Sequence, residues 1–102
     1  MTPFEALAEP ARRNLLDALV DGPKSVAFLG AHAGLSQPNT SRHLRLLREA
    51  GIVSSTVHGR QRLYELQPER LIEVDRWLAP YRQLWRRSLD ALERHLDIEE
   101  RS

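Results

Sequence analysis

The tripeptide Gly34-Leu35-Ser36 restricts the fold most, because it separates two helical stretches and leaves no room for a loop between them. Upstream, Ser25 is placed to cap a helix with Val26, Leu29 and Ala33 on one face, and Gly34 supplies the left-handed residue that closes it. Downstream, Ser36 caps a second helix at once. Pro38 falls in its first turn, where a missing N–H does no harm, and Thr40, Leu44 and Leu47 form a buried stripe that runs to Ala50-Gly51. A glycine-containing turn this short sets two helices at a steep angle, the helix-turn-helix arrangement over about residues 25–50.

The flanking segments can be read in the same way. Pro3 to Ala8 suits a short helix, and Pro10 opens another whose Leu15, Leu16, Leu19 and Val20 recur at helical spacing until Asp21-Gly22-Pro23 ends it. Ile52 to Val57 is rich in β-branched residues, His58 to Gln61 reads as a turn, and Arg62 to Leu66 puts Tyr64 and Leu66 on one face. A β-hairpin, or wing, is expected over about 52–66. From Pro68 to about residue 97 the pattern is helical again, and Leu71, Val74, Leu78, Tyr81, Trp85, Leu89 and Leu92 lie on a stripe widened by Ile72, Trp77 and Leu84. That is more apolar surface than a three-helix core covers, so part of it is expected at a contact with a second copy. Pro80 removes a hydrogen bond to the Arg76 carbonyl and is expected to kink or split this helix.

With 102 residues the chain has room for one domain, and that domain is expected to be mostly α with a small β-hairpin. The absence of cysteine removes disulfides, thiolate zinc sites and cysteine nucleophiles. No apolar run approaches a membrane span and the amino terminus does not read as a signal peptide, so the expectation is a soluble, cytoplasmic chain.

Net charge is only +1, but its distribution is uneven. Between Ser36 and Arg62 there are five arginines (Arg42, Arg45, Arg48, Arg60, Arg62) against Glu49 alone, a net of +4, whereas the remainder carries ten cations and thirteen anions. Such a block suits one face turned to phosphate, and arginine rather than lysine suits phosphate and guanine edges.

Four stretches in order carry a family resemblance: Leu7-Ala8-Glu9-Pro10-Ala11-Arg12-Arg13, Leu35 through Leu44, Leu47-Arg48-Glu49-Ala50-Gly51-Ile52-Val53, and Gly59-Arg60-Gln61-Arg62-Leu63-Tyr64. Together they resemble the ArsR-type winged-helix transcriptional repressors over nearly the whole chain. The resemblance implies a homodimer held by terminal helices, a recognition helix in the major groove of double-stranded DNA, an inverted-repeat operator, and repression by blocking polymerase. Metal-sensing members carry cysteines near the helix before the recognition helix, or Asp-x-His patterns on the last helix. This chain has neither, so it resembles the non-metal branch; no cofactor is expected, and any small-molecule effector is unidentified.

On this reading the DNA-facing set is Ser36, Gln37, Asn39, Thr40, Ser41, Arg42, His43 and Arg45 on the second helix, with Arg60 and Arg62 on the wing. His43 is balanced between a phosphate contact and a buried histidine. Trp77, Tyr81 and Trp85, at i, i+4 and i+8, weigh more toward core or dimer interface than toward an effector pocket. The four histidines form no ligand pair at metal spacing, and no paired acid, nucleophile or phosphate loop supports an enzyme. A winged-helix module serving protein contacts is the remaining rival, against which the arginine-rich second helix argues.

Overall fold

Helices begin where the sequence supplies a cap. In the computed structural model, which describes residues 1–101, α1 (Pro3–Leu7) starts with a reciprocal pair: Glu5 N–H donates to Thr2 Oγ1 at 3.1 Å and Thr2 N–H to Glu5 Oε1 at 3.4 Å. Helix α2 (Pro10–Leu19) takes proline as its first residue behind Glu9. A short strand β1 (Lys24–Ser25) precedes α3 (Val26–Ala33), whose cap Ser25 Oγ accepts from Phe28 N–H at 3.2 Å. Gly34 ends α3 at φ 67° and ψ 34°, a conformation in which a Cβ would be strained. Ser36 then opens α4 (Gln37–Glu49), and the hairpin follows as β2 (Val53–His58) and β3 (Gln61–Leu66). A 3₁₀ turn (Pro68–Leu71) leads into α5 (Ile72–Arg101).

The chain divides into two compact units, Met1–Ile72 and the rest of α5. In the first unit, Leu15, Leu29, Leu44, Leu47 and Ile52 are fully buried and gather α2, α3, α4 and the start of β2 around one core. Three helices plus hairpin make the winged helix-turn-helix architecture. Helices α3 and α4 approach so closely that a Cβ built on Gly30 would lie 2.8 Å from Thr40 Oγ1. The absence of a side chain at Gly30 permits this crossing.

The sheet has the order β1-β3-β2 and is antiparallel throughout. Strand β1 pairs Lys24 with Tyr64 and Ser25 with Leu63, so the loop before α3 is stitched to the wing. Two residues are too short to leave a periodic signal, and the sequence reading missed this strand. The hairpin turn is Gly59-Arg60, with His58 opposite Gln61, and Gly59 takes φ 62° at the position where a two-residue turn of this hand requires it.

Two expectations are corrected. Pro80 does not split the last helix, which runs unbroken from Ile72 to Arg101, since one missing N–H is outweighed by helix formers on both sides. Leu71 does not extend the stripe of α5; it lies in the 3₁₀ turn, partly buried against the core of the first unit.

The motif around Arg12 and Arg13 acquires a physical role. Helix α1 has only five residues, too few to satisfy its own terminal carbonyls. Arg12 Nε donates to Ala6 O at 2.9 Å and Arg12 Nη2 to Glu5 O at 3.0 Å, while Arg13 Nη1 donates to Leu7 O at 2.6 Å. The two guanidinium groups thus close the end of α1 and clamp it to α2. Arg12→Ala is expected to lower the unfolding free energy by about 1–2 kcal/mol and to speed hydrogen exchange at α1 amides. Urea titration and exchange at fixed protein concentration check this; unchanged exchange in α1 would rule the clamp out.

Candidate nucleic-acid interface

The turn that precedes α4 builds the amino-terminal end of the interface. Leu35 N–H donates to Gly30 O at 2.9 Å, Asn39 N–H donates to Ser36 Oγ at 3.3 Å, and Thr40 Oγ1 donates to Ser36 O at 2.8 Å. These bonds fix where α4 starts and which way its first turn faces. Thr40, His43, Leu44 and Leu47 turn inward, and Ser36, Gln37, Asn39, Ser41, Arg42 and Arg45 are all exposed. Their arrangement follows from the apolar stripe: once positions 40, 44 and 47 are buried, the polar side chains between them have only solvent to face.

Thr40 and His43 therefore leave the DNA-facing set. Thr40 is 0% exposed, with its hydroxyl spent on the Ser36 carbonyl against Gly30. His43 is buried beside the core, and its Nδ1, shielded from solvent, has no hydrogen-bond partner among the described residues. Burial chiefly, with the nearby positive charges of Arg42 and Arg12, holds its pKa below the usual histidine value, while Glu9 pulls weakly the other way. The apolar pattern placed Thr40 in the buried stripe, so its burial was legible. That of His43 was not, because one position on a helix boundary can turn either way.

The hairpin is tied to the end of α4. Ile52 N–H donates to Leu47 O at 3.0 Å, and Gln67 N–H returns to Ile52 O at 2.7 Å, so both strands leave the core from the end of α4. Cross-strand pairing sets Val53, Ser55 and Val57 on the same face as Leu66, Tyr64 and Arg62. Tyr64 and Val53 bury the core end of that face, while Arg62 is exposed nearer the tip and donates to Ser55 Oγ at 3.0 Å. Sequence reading gave Arg62 no such partner; its lateral offset from Ser55 appears only once the register is known. Arg60 sits exposed in the turn itself.

Ion pairing sharpens the charge argument. Among the described residues the pairs are Lys24–Asp21, Arg82–Asp75 and His95–Glu99, none of which engages the five arginines of residues 42–62. These cations stand without a carboxylate partner on the exposed side of α4 and on the wing, ready for an external anion. The described residues contain no group of three or more His, Asp or Glu side chains placed to hold a metal ion, and no described helix is long and apolar enough to cross a membrane.

On the second unit, Val74 and Leu78 are partly buried, whereas Tyr81, Trp85, Leu89 and Leu92 are exposed. The Trp77 and Tyr81 rings lie 4.8 Å apart at 41°.

Because the folded His43 favours the neutral form, the unfolded chain takes up the proton first as pH falls. Its contribution to stability is complete above the ordinary histidine value and is lost as pH drops through the depressed one. Unfolding free energy should therefore decline more steeply between about pH 7 and pH 5 in the parent than in His43→Leu. Denaturant titrations across that window decide the matter, and identical slopes would show that His43 is not held neutral.

Comparison with known proteins agrees with this geometry. Residues 9–55 match the family model described as bacterial regulatory protein, arsR family. The chain is 46% identical over 66 residues to the HTH-type transcriptional regulator CmtR of Mycobacterium tuberculosis, a stretch covering 65% of this chain and 56% of that one, so the chain spans little more than half the length of that relative. It is 31% identical to the transcriptional repressor SdpR of Bacillus subtilis over 76% of this chain and 87% of the relative. A crystal structure of a possible transcriptional regulator for arsenical resistance superposes with TM-score 0.73 at 36% identity, covering 88% of this chain and 96% of that one. The homodimeric winged helix-turn-helix DNA-binding domain of a possible ArsR-family regulator from Mycobacterium bovis gives TM-score 0.62 at 26% identity, over 84% and 77% of the two chains. Family model, relatives and superposed structures agree with the residues that carry the fold: the chain belongs to the ArsR family of bacterial transcriptional regulators, which are not enzymes.

Proposed function

We propose that the chain is a DNA-binding transcriptional repressor that acts in the cytoplasm as a homodimer, with α4 in the major groove of an inverted-repeat operator and the wing against the flanking backbone. The observation that carries this reading is the exposed, carboxylate-free row of Gln37, Asn39, Ser41, Arg42 and Arg45, presented by a helix whose other side is locked into the core. In a helix-turn-helix the first turns of the second helix meet base edges, where arginine pairs with guanine and asparagine or glutamine with adenine. Ser36 and the start of α4 suit a phosphate, and Arg60 and Arg62 suit backbone or minor groove.

One short helix reads too few base pairs to select a site in a genome, so two copies are needed. The homodimeric neighbour supports that number, and so do Tyr81, Trp85, Leu89 and Leu92, which leave a broad apolar side of α5 exposed together with the partly buried Val74 and Leu78. Two-fold symmetry then sets the half-sites about 34–36 Å apart.

Selection of bound fragments from random duplex DNA should enrich an inverted repeat; no enrichment would favour a protein-binding module instead. Against the selected site, Arg42→Ala should weaken binding about tenfold or more and blur preference at one base pair per half-site. Equal affinity and equal preference in mobility-shift titration would remove Arg42 from the reader. The double variant Arg60→Ala, Arg62→Ala should weaken binding to all sequences alike and flatten the salt dependence by about one unit of slope for each phosphate no longer neutralised. A slope equal to the parent's would take the wing out of the interface.

A further inference from the structure

The five arginines of residues 42–62 are not alike. None of them meets a carboxylate among the described residues, but Arg62 has a side-chain hydrogen bond, from its Nη1 to Ser55 Oγ at 3.0 Å. Arg42, Arg45 and Arg48 on α4 and Arg60 in the turn are exposed and make no such bond to a described residue. The wing thus carries two arginines two positions apart, one tied and one free.

Strand register explains the tie. Ser55 stands opposite Tyr64 and Arg62 opposite Val57, so Ser55 and Arg62 are diagonal neighbours on one face of the hairpin. Diagonal neighbours are about 7–8 Å apart, a gap that a side chain as long as arginine spans. The serine end is the fixed one. Val53 is 2% exposed and Tyr64 7%, so the face on which Ser55 sits is packed from the core outward. Arg62 is exposed, and on the other side it lines an open depression with Ser25, Val26, Ala27 and Gln61 at the start of α3. Its side chain has two directions open to it, along β2 or over that depression, and the Ser55 hydroxyl selects the first.

The chemistry of the acceptor decides what the bond can do. A carboxylate in place of the serine would orient the guanidinium and also neutralise it. A hydroxyl orients it and leaves the full positive charge for an outside anion. Of the five N–H groups of a guanidinium, one is spent on Ser55 and four remain. Arginine carries large rotamer freedom, which a phosphate contact must freeze, and a side chain already held loses less of it on binding.

We propose that Ser55 is a positioning residue for DNA binding: it holds Arg62 where its remaining N–H groups meet a backbone phosphate, while Arg60 stays adaptable at the tip. This rests on the contact between wing and DNA proposed above. It deepens that reading by giving the two wing arginines different parts and naming the residue that separates them.

A double-mutant cycle tests it. Ser55→Ala, Arg62→Ala and the pair together are compared with the parent by titration against the selected operator and against random duplex at one salt concentration. Ser55→Ala should weaken binding about three- to tenfold on both DNAs alike. Its salt slope should equal the parent's, because no charge has been removed. In the Arg62→Ala background the same substitution should have almost no effect, since the group it positions is gone. Ser55→Thr keeps the hydroxyl and should bind as the parent does.

A loss from Ser55→Ala of equal size with and without Arg62 would make the serine a structural part of the strand and overturn the proposal. Tighter binding by Ser55→Ala would overturn it too, since the bond would then hold Arg62 away from the DNA. Unchanged binding by Ser55→Ala, where Arg62→Ala weakens it, would leave the wing contact standing and remove Ser55 from it. If Arg62→Ala itself binds both DNAs as tightly as the parent, the contact of Arg62 with DNA fails, and the role of Ser55 with it.

Discussion

The site depends on the close crossing of α3 and α4. Gly30 lets the two backbones approach until Thr40 fills the gap, and the Thr40 hydroxyl spends its hydrogen on the Ser36 carbonyl. Gly34 in the left-handed region then turns the chain within one residue, so that Ser36 can cap the next helix. With the crossing fixed, Leu44 and Leu47 enter the core, and the polar positions between them are exposed. Orientation of the arginine row is thus set by buried contacts that carry no charge.

Around this crossing the other parts act as supports. The Arg12 and Arg13 clamp gives a five-residue helix a defined end, which its own hydrogen bonds cannot supply. Strand β1 joins the start of α3 to β3, and Ile52 joins β2 to the last turn of α4, so the wing is anchored at both sides of the helix-turn-helix. Arg60 and Arg62 gain a defined position from that anchoring, which a free loop would not give them. His43 sits at the opposite limit, an ionisable ring kept in the core where its neutral form is favoured.

Most of the fold was legible because its signals are local. Caps at Ser25 and Ser36, the closing glycine at position 34, proline at the start of α2 and the apolar stripe of α4 each specify structure within a few residues, and all appear as read. What escaped depends on distant partners. The pairing of Lys24 with Tyr64 joins segments far apart in the chain, and the Arg12 clamp needs α1 folded back on α2. Leu71 fits the spacing of the α5 stripe, but spacing cannot tell that the chain enters a 3₁₀ turn there and joins the core. Exposure of Gln37, Asn39, Ser41, Arg42 and Arg45 followed from the stripe, whereas the burial of His43 depended on packing that no pattern encodes.

Binding of duplex DNA by the arginine-bearing side of the first unit is the central claim, and residue-resolved chemical-shift mapping tests it most directly. On titration with a short duplex, the largest shifts should fall on Ser36 to Arg45 and on His58 to Arg62, with Val20, Phe28 and His32 unmoved. Shifts concentrated on those last three residues, or no shifts in α4 at saturating DNA, would contradict the account.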